Sequence, residues 1–138
     1  MKSLLLLLTF LLAAIDPGSC QTTDTLHFRS IPPKEFRNSM EMTESAILID
    51  VREFFEYRKS RIDHAVNIPS SGDIDRSADT INREAQLYLY CTTGFRSKRV
   101  AKQLTERGFS NVCSLDGGIN AWKKEGLPVN KKKIKKVK

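Results

Sequence analysis

The chain has 138 residues, of which 40% are hydrophobic, and its formal net charge is +7. This length suits one compact domain. The positive charge is concentrated in the last eight residues, which hold six lysines and no aromatic side chain that could stack on a base, so the composition argues against nucleic-acid binding.

The first twenty residues have the pattern of an export signal. Lys2 supplies a short positive region, an apolar core runs from Leu4 to Ile15, and a turn with small residues leads to Cys20. The apolar run is too short to span a membrane comfortably. We therefore predict a signal peptide over residues 1–20. Two forms stay open, cleavage after Cys20, which we favour, and a bacterial lipoprotein with its lipid on Cys20.

Strand-like and helix-like segments alternate through residues 21–130, and this alternation predicts a βαβ-type domain with a mainly parallel sheet. The run from Ala46 to Val51 is continuously apolar, as expected of a strand that is buried on both faces. The predicted strands, in chain order, are Leu26–Phe28, Ala46–Val51, Val66–Ile68, Leu87–Tyr90 and Val112–Leu115.

The predicted helices lie between these strands. We expect Ser30 to cap a brief helix that Pro32 and Pro33 open and that ends near Asn38. The segment Ser70–Asp79 is polar and rich in turn residues, which indicates a loop. The later helices are expected at Glu53–Lys59, near Asp79–Ala85, at Ser97–Arg107, and from Gly117 and Gly118 to Gly126.

A lone cysteine, Cys91, follows the fourth predicted strand and lies in a short turn before a predicted helix. Unpaired N–H groups and partial positive charge at a helix N-terminus favour a thiolate and offer a seat for an anion. Arg96 adds a permanent positive charge, and Gly94 allows a backbone conformation that is closed to other residues. The pattern predicts a nucleophilic Cys91 that faces a substrate with an oxyanion.

The remaining sequence offers no second reactive centre. An exported protein meets oxidising conditions, so a Cys91–Cys113 disulfide has to be considered, although Cys113 lies in an apolar run that favours a small buried core residue. No metal-ligand spacing is present, because there is no CxxC pair and His27 and His64 are isolated. We expect neither a metal nor another cofactor.

Four segments resemble signatures of the rhodanese (thiosulfate sulfurtransferase) family, and the likeness extends over most of residues 21–130. All four occur in the same order along the chain as in the family, with spacing that is compatible with the family's. Ser60, Arg61, Asp63 and His64 depart from the family's usual residues in a surface turn. The four segments are Leu48–Glu53 with Glu56 and Tyr57; Ile62 with Ala65 and Asn67–Pro69; Cys91–Ser97; and Leu115–Gly118 with Ala121, Trp122 and Gly126–Val129.

The length of the cysteine loop separates two kinds of chemistry within this resemblance. Cys91 and Arg96 enclose six residues, counting both ends, which is the length found in sulfurtransferases of the family. The related phosphatases have seven residues, and tyrosine phosphatases usually place a His where this chain has Tyr90. The resemblance therefore favours sulfur over phosphorus and disfavours a phosphatase or an arsenate reductase.

The resemblance implies a three-layer α/β/α domain with a mainly parallel five-stranded sheet. It also implies that Cys91 takes sulfane sulfur from thiosulfate or a similar donor and passes it, as a persulfide, to cyanide or a thiol. Asp50 and Arg52 would be structural, and Arg96 would either hold the donor's oxyanion or brace the loop. The residues expected to bind substrate are Thr92, Thr93, Gly94, Phe95, Arg96 and Ser97.

The resemblance and the signal together predict an exported, periplasmic monomer that acts on a small-molecule donor and acceptor. The alternative is a non-catalytic rhodanese-like module that carries sulfur or binds a partner, although the intact Cys91 and Arg96 argue against it. We expect the lysine-rich tail, residues 131–138, to be disordered and solvated. Weak contact with an anionic membrane surface is the competing use for this tail.

Overall fold

The structure is a computed structural model that describes residues 28–72 and 74–134. The predicted signal peptide, residues 1–20, lies outside the described residues, as do residues 135–138 of the lysine-rich tail. Within the described ranges, no helix is both long enough and apolar enough to cross a membrane.

Five strands form one parallel sheet, with the spatial order β1-β5-β4-β2-β3. The central strand β4 is buried along its whole length, because helices cover both faces of the sheet. The predicted α/β fold with a mainly parallel five-stranded sheet is confirmed. The strands are β1 Arg29–Ile31, β2 Ile47–Asp50, β3 Val66–Asn67, β4 Leu87–Tyr90 and β5 Val112–Leu115.

The helices form a layer on each side of the sheet. On one side, Val100 and Leu104 of α4 belong to the same buried cluster as Ile74 of α3. On the other side, Phe36 of α1 contacts the ring of Trp122 of α5 edge-on. The result is the expected three-layer α/β/α arrangement. The helices are α1 Pro33–Glu41, α2 Phe54–Lys59, α3 Ile74–Asp79, α4 Phe95–Glu106 and α5 Gly118–Lys124.

The third helix was predicted in the wrong place. It occupies Ile74–Asp79, within the segment predicted to be a loop, and the expected helix near Asp79–Ala85 is absent from the described residues. Ile74 and Ala78 are buried, and residues four apart share one face of a helix. Two apolar residues among polar neighbours are too weak a pattern to reveal such a short helix.

The first strand and the first helix were also misplaced. The strand begins at Arg29, so Phe28, the described end of the predicted strand, lies outside it. Ser30 belongs to the strand and does not cap α1. The N-cap residue is Pro32, whose carbonyl accepts a hydrogen bond from the N–H of Phe36 at 2.9 Å. The strand continues to the residue before Pro32, which leaves Ser30 no position at the helix terminus.

The carboxyl end of β2 holds a buried ion pair between Asp50 and Arg52, which are 0% and 4% exposed. The guanidinium Nη2 donates to Asp50 Oδ2 at 2.6 Å and to the carbonyl oxygen of Ser60, beyond α2, at 2.7 Å. Asn67 Nδ2 donates to the carbonyl oxygens of Asp50 and Arg52 at 3.0 and 2.8 Å. The pair therefore joins β2, β3 and the end of α2.

Helix α5 approaches the backbone after β4 so closely that only glycine fits at its first residue. The N–H groups of Ile119 and Asn120 donate to the carbonyl oxygens of Cys91 and Thr92 at 2.8 and 3.1 Å. Gly118 has a φ of +60°, and a Cβ atom there would lie 2.5 Å from the carbonyl oxygen of Cys91. This contact holds the start of the cysteine loop against α5.

We expect Gly118→Ala to lower the free energy of unfolding more than Gly126→Ala does. Both residues have positive φ, so both substitutions strain the backbone by about 1–2 kcal/mol, but a Cβ atom at Gly126 meets nothing within 4 Å. Overpacking at Gly118 should add about 1–3 kcal/mol. Urea unfolding of both variants measures the difference, and equal losses would contradict the close approach.

Candidate active site

The cysteine loop connects the end of β4 to the start of α4, and α4 begins at Phe95, two residues earlier than predicted. Gly94 precedes the helix with a φ of +92°, in the left-handed region that favours glycine. A Cβ atom there would lie 3.1 Å from the backbone nitrogen of Gly117, which is tighter than an ordinary contact. Gly94 therefore allows both the turn and its packing against the segment before α5.

The loop directs hydrogen-bond donors at the sulfur of Cys91, a residue that is fully buried. The N–H of Gly94 donates to Sγ at 3.1 Å, and the hydroxyl oxygen of Ser97 lies 3.7 Å from Sγ. Burial raises the pKa of this thiol, but hydrogen bonds from Ser97, Thr93 and Gly94 outweigh burial and bring the pKa below its ordinary value. The geometry therefore favours a thiolate, the nucleophilic form of cysteine.

Ser97 is itself held in place from the sheet. Ser114, on β5, is buried and donates a hydrogen bond from its hydroxyl to the Ser97 hydroxyl oxygen at 2.9 Å. Ser97 Oγ in turn lies 3.1 Å from the carbonyl oxygen of Gly94. Ser114 was not among the predicted site residues, because it lies in an apolar run and carries no local sign of contact with the loop.

Arg96 is paired with Glu56 of α2. Its Nη1 and Nη2 donate to the two carboxylate oxygens at 2.8 and 2.9 Å, and Nη2 also donates to Thr92 Oγ1 at 2.9 Å. Thr92 Oγ1 donates to Glu56 Oε1 at 2.7 Å. In this structure Arg96 therefore braces the cysteine loop against α2, which is one of the two roles proposed for it.

Glu56 is a second site residue, after Ser114, whose role sequence reasoning missed. The hydrogen bonds from Arg96, with those from Thr92 and the Glu53 N–H, outweigh burial and lower the pKa of Glu56 to about 2, so its charge is present at neutral pH. Its local signal is the capping box, in which its carboxylate accepts a hydrogen bond from the Glu53 N–H at 3.1 Å. The capping box predicts where a helix begins, but it does not predict that Glu56 pairs with Arg96.

Of the other predicted binding residues, Thr93 contributes a backbone hydrogen bond to Cys91. The side chains of Thr93 and Phe95 point outward, and Phe95 is 74% exposed. Thr92 is half-buried and belongs to the Arg96 network. The structure thus places donors of Thr93, Gly94 and Ser97 at Sγ, while Thr92 and Arg96 pair with Glu56 and the Phe95 ring is exposed.

Cys113 lies in the core, away from this site. Both described cysteines are free, and they belong to the core clusters on opposite faces of the sheet. The hypothetical Cys91–Cys113 disulfide is therefore absent from the structure. His64 is exposed and lies 3.7 Å from a carboxylate oxygen of Asp63. Within residues 28–72 and 74–134, no group of three His, Cys, Asp or Glu side chains could hold a metal ion.

Comparisons with known proteins agree with this geometry. The family model described as rhodanese-like domain matches residues 32–125. A putative sulfurtransferase of Bacillus subtilis is 34% identical over 105 residues, which make up 76% of this chain and 100% of that protein. A thiosulfate sulfurtransferase of Actinobacillus succinogenes is 30% identical over 102 residues, or 74% of this chain and 90% of that one.

A carrier protein and a solved structure extend the comparison. A putative sulfur carrier protein of Bacillus subtilis is 32% identical over 87 residues, and the match covers 63% of this chain but only 46% of that protein. The crystal structure of a rhodanese-related protein from Thermoplasma volcanium superposes with a TM-score of 0.67 at 28% identity, covering 76% of this chain and 100% of that one.

We expect the pKa of the Cys91 thiol to lie below its ordinary value, because the loop donors stabilise the thiolate. Ultraviolet absorbance of the thiolate, followed against pH in a Cys20→Ser, Cys113→Ser background, measures the midpoint. Ser97→Ala removes one donor and should move the midpoint upward. A midpoint at or above the ordinary value would contradict the hydrogen-bonded thiolate, whereas no response to Ser97→Ala would show that the backbone donors of Ser97, Thr93 and Gly94 lower the pKa without the hydroxyl.

We expect Glu56→Gln to destabilise the fold by about 1–3 kcal/mol at neutral pH, because it weakens charged hydrogen bonds to Arg96. The folded pKa of Glu56 is lowered from 4.5 to about 2, so its contribution is complete above pH 4.5 and declines as the pH falls toward 2. The difference from wild type in urea unfolding should shrink over that range. Exposed Glu44, changed to Gln, is the control, and an equal effect there would refute the brace.

Proposed function

Because this chain belongs to the rhodanese-like domain family, we propose that it is a sulfurtransferase that carries sulfane sulfur on Cys91. The observation that carries the proposal is the buried Cys91 sulfur, 3.1 Å from the Gly94 N–H, in a six-residue loop at the start of a helix. The relatives named sulfurtransferases and thiosulfate sulfurtransferase support the same class of reaction.

The proposed reaction has two halves. The Cys91 thiolate attacks the outer sulfur of thiosulfate or a similar donor, the sulfur–sulfur bond of the donor breaks, and sulfite leaves with the electron pair. Cyanide or a thiolate then attacks the outer sulfur of the Cys91 persulfide. The bond to Cys91 breaks, and its electron pair restores the thiolate. Such a covalent intermediate implies ping-pong kinetics.

The loop backbone is the proposed seat for the donor. The N–H groups of Thr93 and Gly94 stabilise negative charge at Sγ in the resting enzyme, and the same donors would stabilise the persulfide anion. Arg96 has its positive charge balanced by Glu56 and acts here as a brace for the loop. A doubly charged donor would therefore meet backbone dipoles rather than an unpaired guanidinium.

A sulfur carrier is the second candidate function. The relative named as a putative sulfur carrier favours it, as does the complete burial of Cys91, which suits storage of a persulfide away from solvent. A carrier would accept sulfur on Cys91 and release it to another protein without rapid turnover of small molecules. The two functions share the persulfide and differ in the second half of the reaction.

Location and assembly remain proposals based on sequence. The signal-like residues 1–20 support an exported, periplasmic protein, with cleavage after Cys20 preferred and a lipid on Cys20 as the alternative. We propose a monomer that uses a small-molecule donor and acceptor and no cofactor. For the lysine-rich tail we keep two competing proposals. Either it is solvated, or it makes weak contact with an anionic membrane.

We expect the purified, reduced chain to form thiocyanate from thiosulfate and cyanide and to gain the mass of one sulfur atom when it is treated with thiosulfate alone. Cys91→Ala should abolish both results, whereas Cys113→Ser, which alters a core residue, should keep both. Colorimetry and intact-protein mass spectrometry are the measurements.

The pattern of results separates the candidates. A persulfide that forms on Cys91 without thiocyanate turnover would favour the carrier. If reduced Cys91 gains no sulfur, both candidates are wrong. Hydrolysis of an aryl phosphate that depends on Cys91 would instead indicate a phosphatase.

A further inference from the structure

The start of the lysine-rich tail lies beside α2 and forms one wall of a groove. Arg61 and Asn130 exchange backbone hydrogen bonds of 3.0 and 2.7 Å, and Arg61 Nη1 donates to the carbonyl oxygen of Lys132 at 3.2 Å. The chain then continues along α2. The α2 groove has a volume of about 550 Å³ and is lined by Phe55, Arg58, Lys59, Lys133 and Ile134.

The α2 groove and its rim concentrate cations that lack a carboxylate partner. Lys123 adjoins the groove, because its Nζ donates to the hydroxyl of Ser60 at 2.9 Å and Ser60 follows a groove lysine. Elsewhere Lys98 pairs with Asp116 and Lys102 with Glu106, whereas Lys34 and Lys124, which lie apart from each other in the sequence, form no pair with a carboxylate among the described residues. Within the described part of the chain, no ion pair with a carboxylate is formed by Arg58, Lys59, Lys123, Lys131 or Lys133.

Lys123 lies close enough to other cations for their charges to act on it. Burial and the nearby charges of Arg52, Lys131 and Lys59 lower the pKa of Lys123. Like charges held together cost free energy, and a bound anion would offset that cost. The fixed position of residues 130–134 therefore creates a surface whose electrostatic complement is acidic.

Helix α2 links the α2 groove to the cysteine loop, because it lines the groove and also contacts the loop. Helix α2 has six residues and is about 9 Å long, and its Glu56 contacts the loop through Arg96. Phe55, beside Glu56, is 68% exposed, and Phe95, beside Arg96, is 74% exposed. Each of the two elements joined by the Glu56–Arg96 ion pair thus presents an exposed aromatic side chain. Exposed aromatic side chains of this kind are typical of protein contact surfaces.

We propose that the α2 groove binds an acidic, partly apolar segment of a protein that exchanges sulfur with Cys91. Carboxylates of that segment would face Lys59, Lys133 and their neighbours, and an apolar side chain would pack against Phe55 and Ile134. Cyanide or thiosulfate needs no such surface. A membrane is a weaker match, because a flat bilayer would contact the lysine ends without filling a concave groove.

This inference rests on the proposed sulfur transfer and names the class of its protein partner. A thiolate of the bound partner forms a bond to the outer sulfur of the Cys91 persulfide. The sulfur–sulfur bond to Cys91 breaks, and its electron pair returns to Cys91 as a thiolate. The step consumes no oxidant or reductant, and the sulfur ends on the partner.

The test measures binding rather than sulfur chemistry. The full chain with Cys91→Ser is titrated into a fluorescein-labelled peptide of Glu, Leu and Gly, and into a matched peptide with Gln at every Glu position. Fluorescence anisotropy should show about tenfold tighter binding of the acidic peptide, since several exposed ion pairs add modest increments. Added salt should weaken that binding.

Two variants of equal net charge locate the site. Lys59→Glu with Lys133→Glu should remove most of the preference for the acidic peptide. Lys34→Glu with Lys102→Glu, on α1 and α4, should retain it. Circular dichroism checks that both variants are folded. Since Cys91→Ser cannot hold a persulfide, failure of the proposed function leaves this readout unaffected.

Three results would overturn the inference. Equal binding of the two peptides would show that acidity is not recognised, and equal losses in the two variants would show that the attraction belongs to net charge. The third result would be that the groove binds a membrane and not a protein segment. If the acidic peptide does not bind but vesicles of anionic phospholipid do, and Lys59→Glu with Lys133→Glu weakens that binding, a membrane occupies the surface.

Discussion

The buried ion pair between Asp50 and Arg52 is the interaction on which the active edge of the sheet depends. Arg52 reaches from the end of β2 to the carbonyl oxygen of Ser60, so it holds the C-cap residue of α2 against the sheet. The position of α2 in turn places Glu56 against Arg96 and the cysteine loop. Loss of one partner from a buried pair typically costs about 3–5 kcal/mol, because the other charge is left without compensation.

Two different kinds of electrostatic stabilisation operate at the cysteine loop. The sulfur of Cys91 accepts hydrogen bonds from backbone N–H groups and from the hydroxyl of Ser97. The full positive charge of Arg96, by contrast, is balanced by the carboxylate of Glu56. The loop can therefore be rigid without a free cation at the sulfur. Unpaired cations lie instead on the neighbouring face of α2, around Lys59, where a larger anionic partner can reach them.

Consecutive apolar residues made the sheet predictable, whereas apolar residues scattered among polar ones did not reveal a helix. The strands β4 and β5 lie where the sequence predicts them, because all their residues except Ser114 are apolar and all are buried between two layers of helices. Helix α3 was misplaced, since Ile74 and Ala78 are its buried residues in a polar stretch. The predicted site residues form one contiguous loop, so a strand, a glycine turn and a helix were sufficient to bring them together.

The sequence by itself determined that Cys91 lies in a turn between a strand and a helix, because local backbone geometry arranges neighbouring residues in such a turn. Only the tertiary structure decided that Arg96 pairs with Glu56, that Cys91 and Cys113 face opposite core layers, and that the lysine-rich tail starts along α2. Those contacts join residues far apart in the chain. Their existence depends on how whole helices pack against the sheet, which no local pattern of residues encodes.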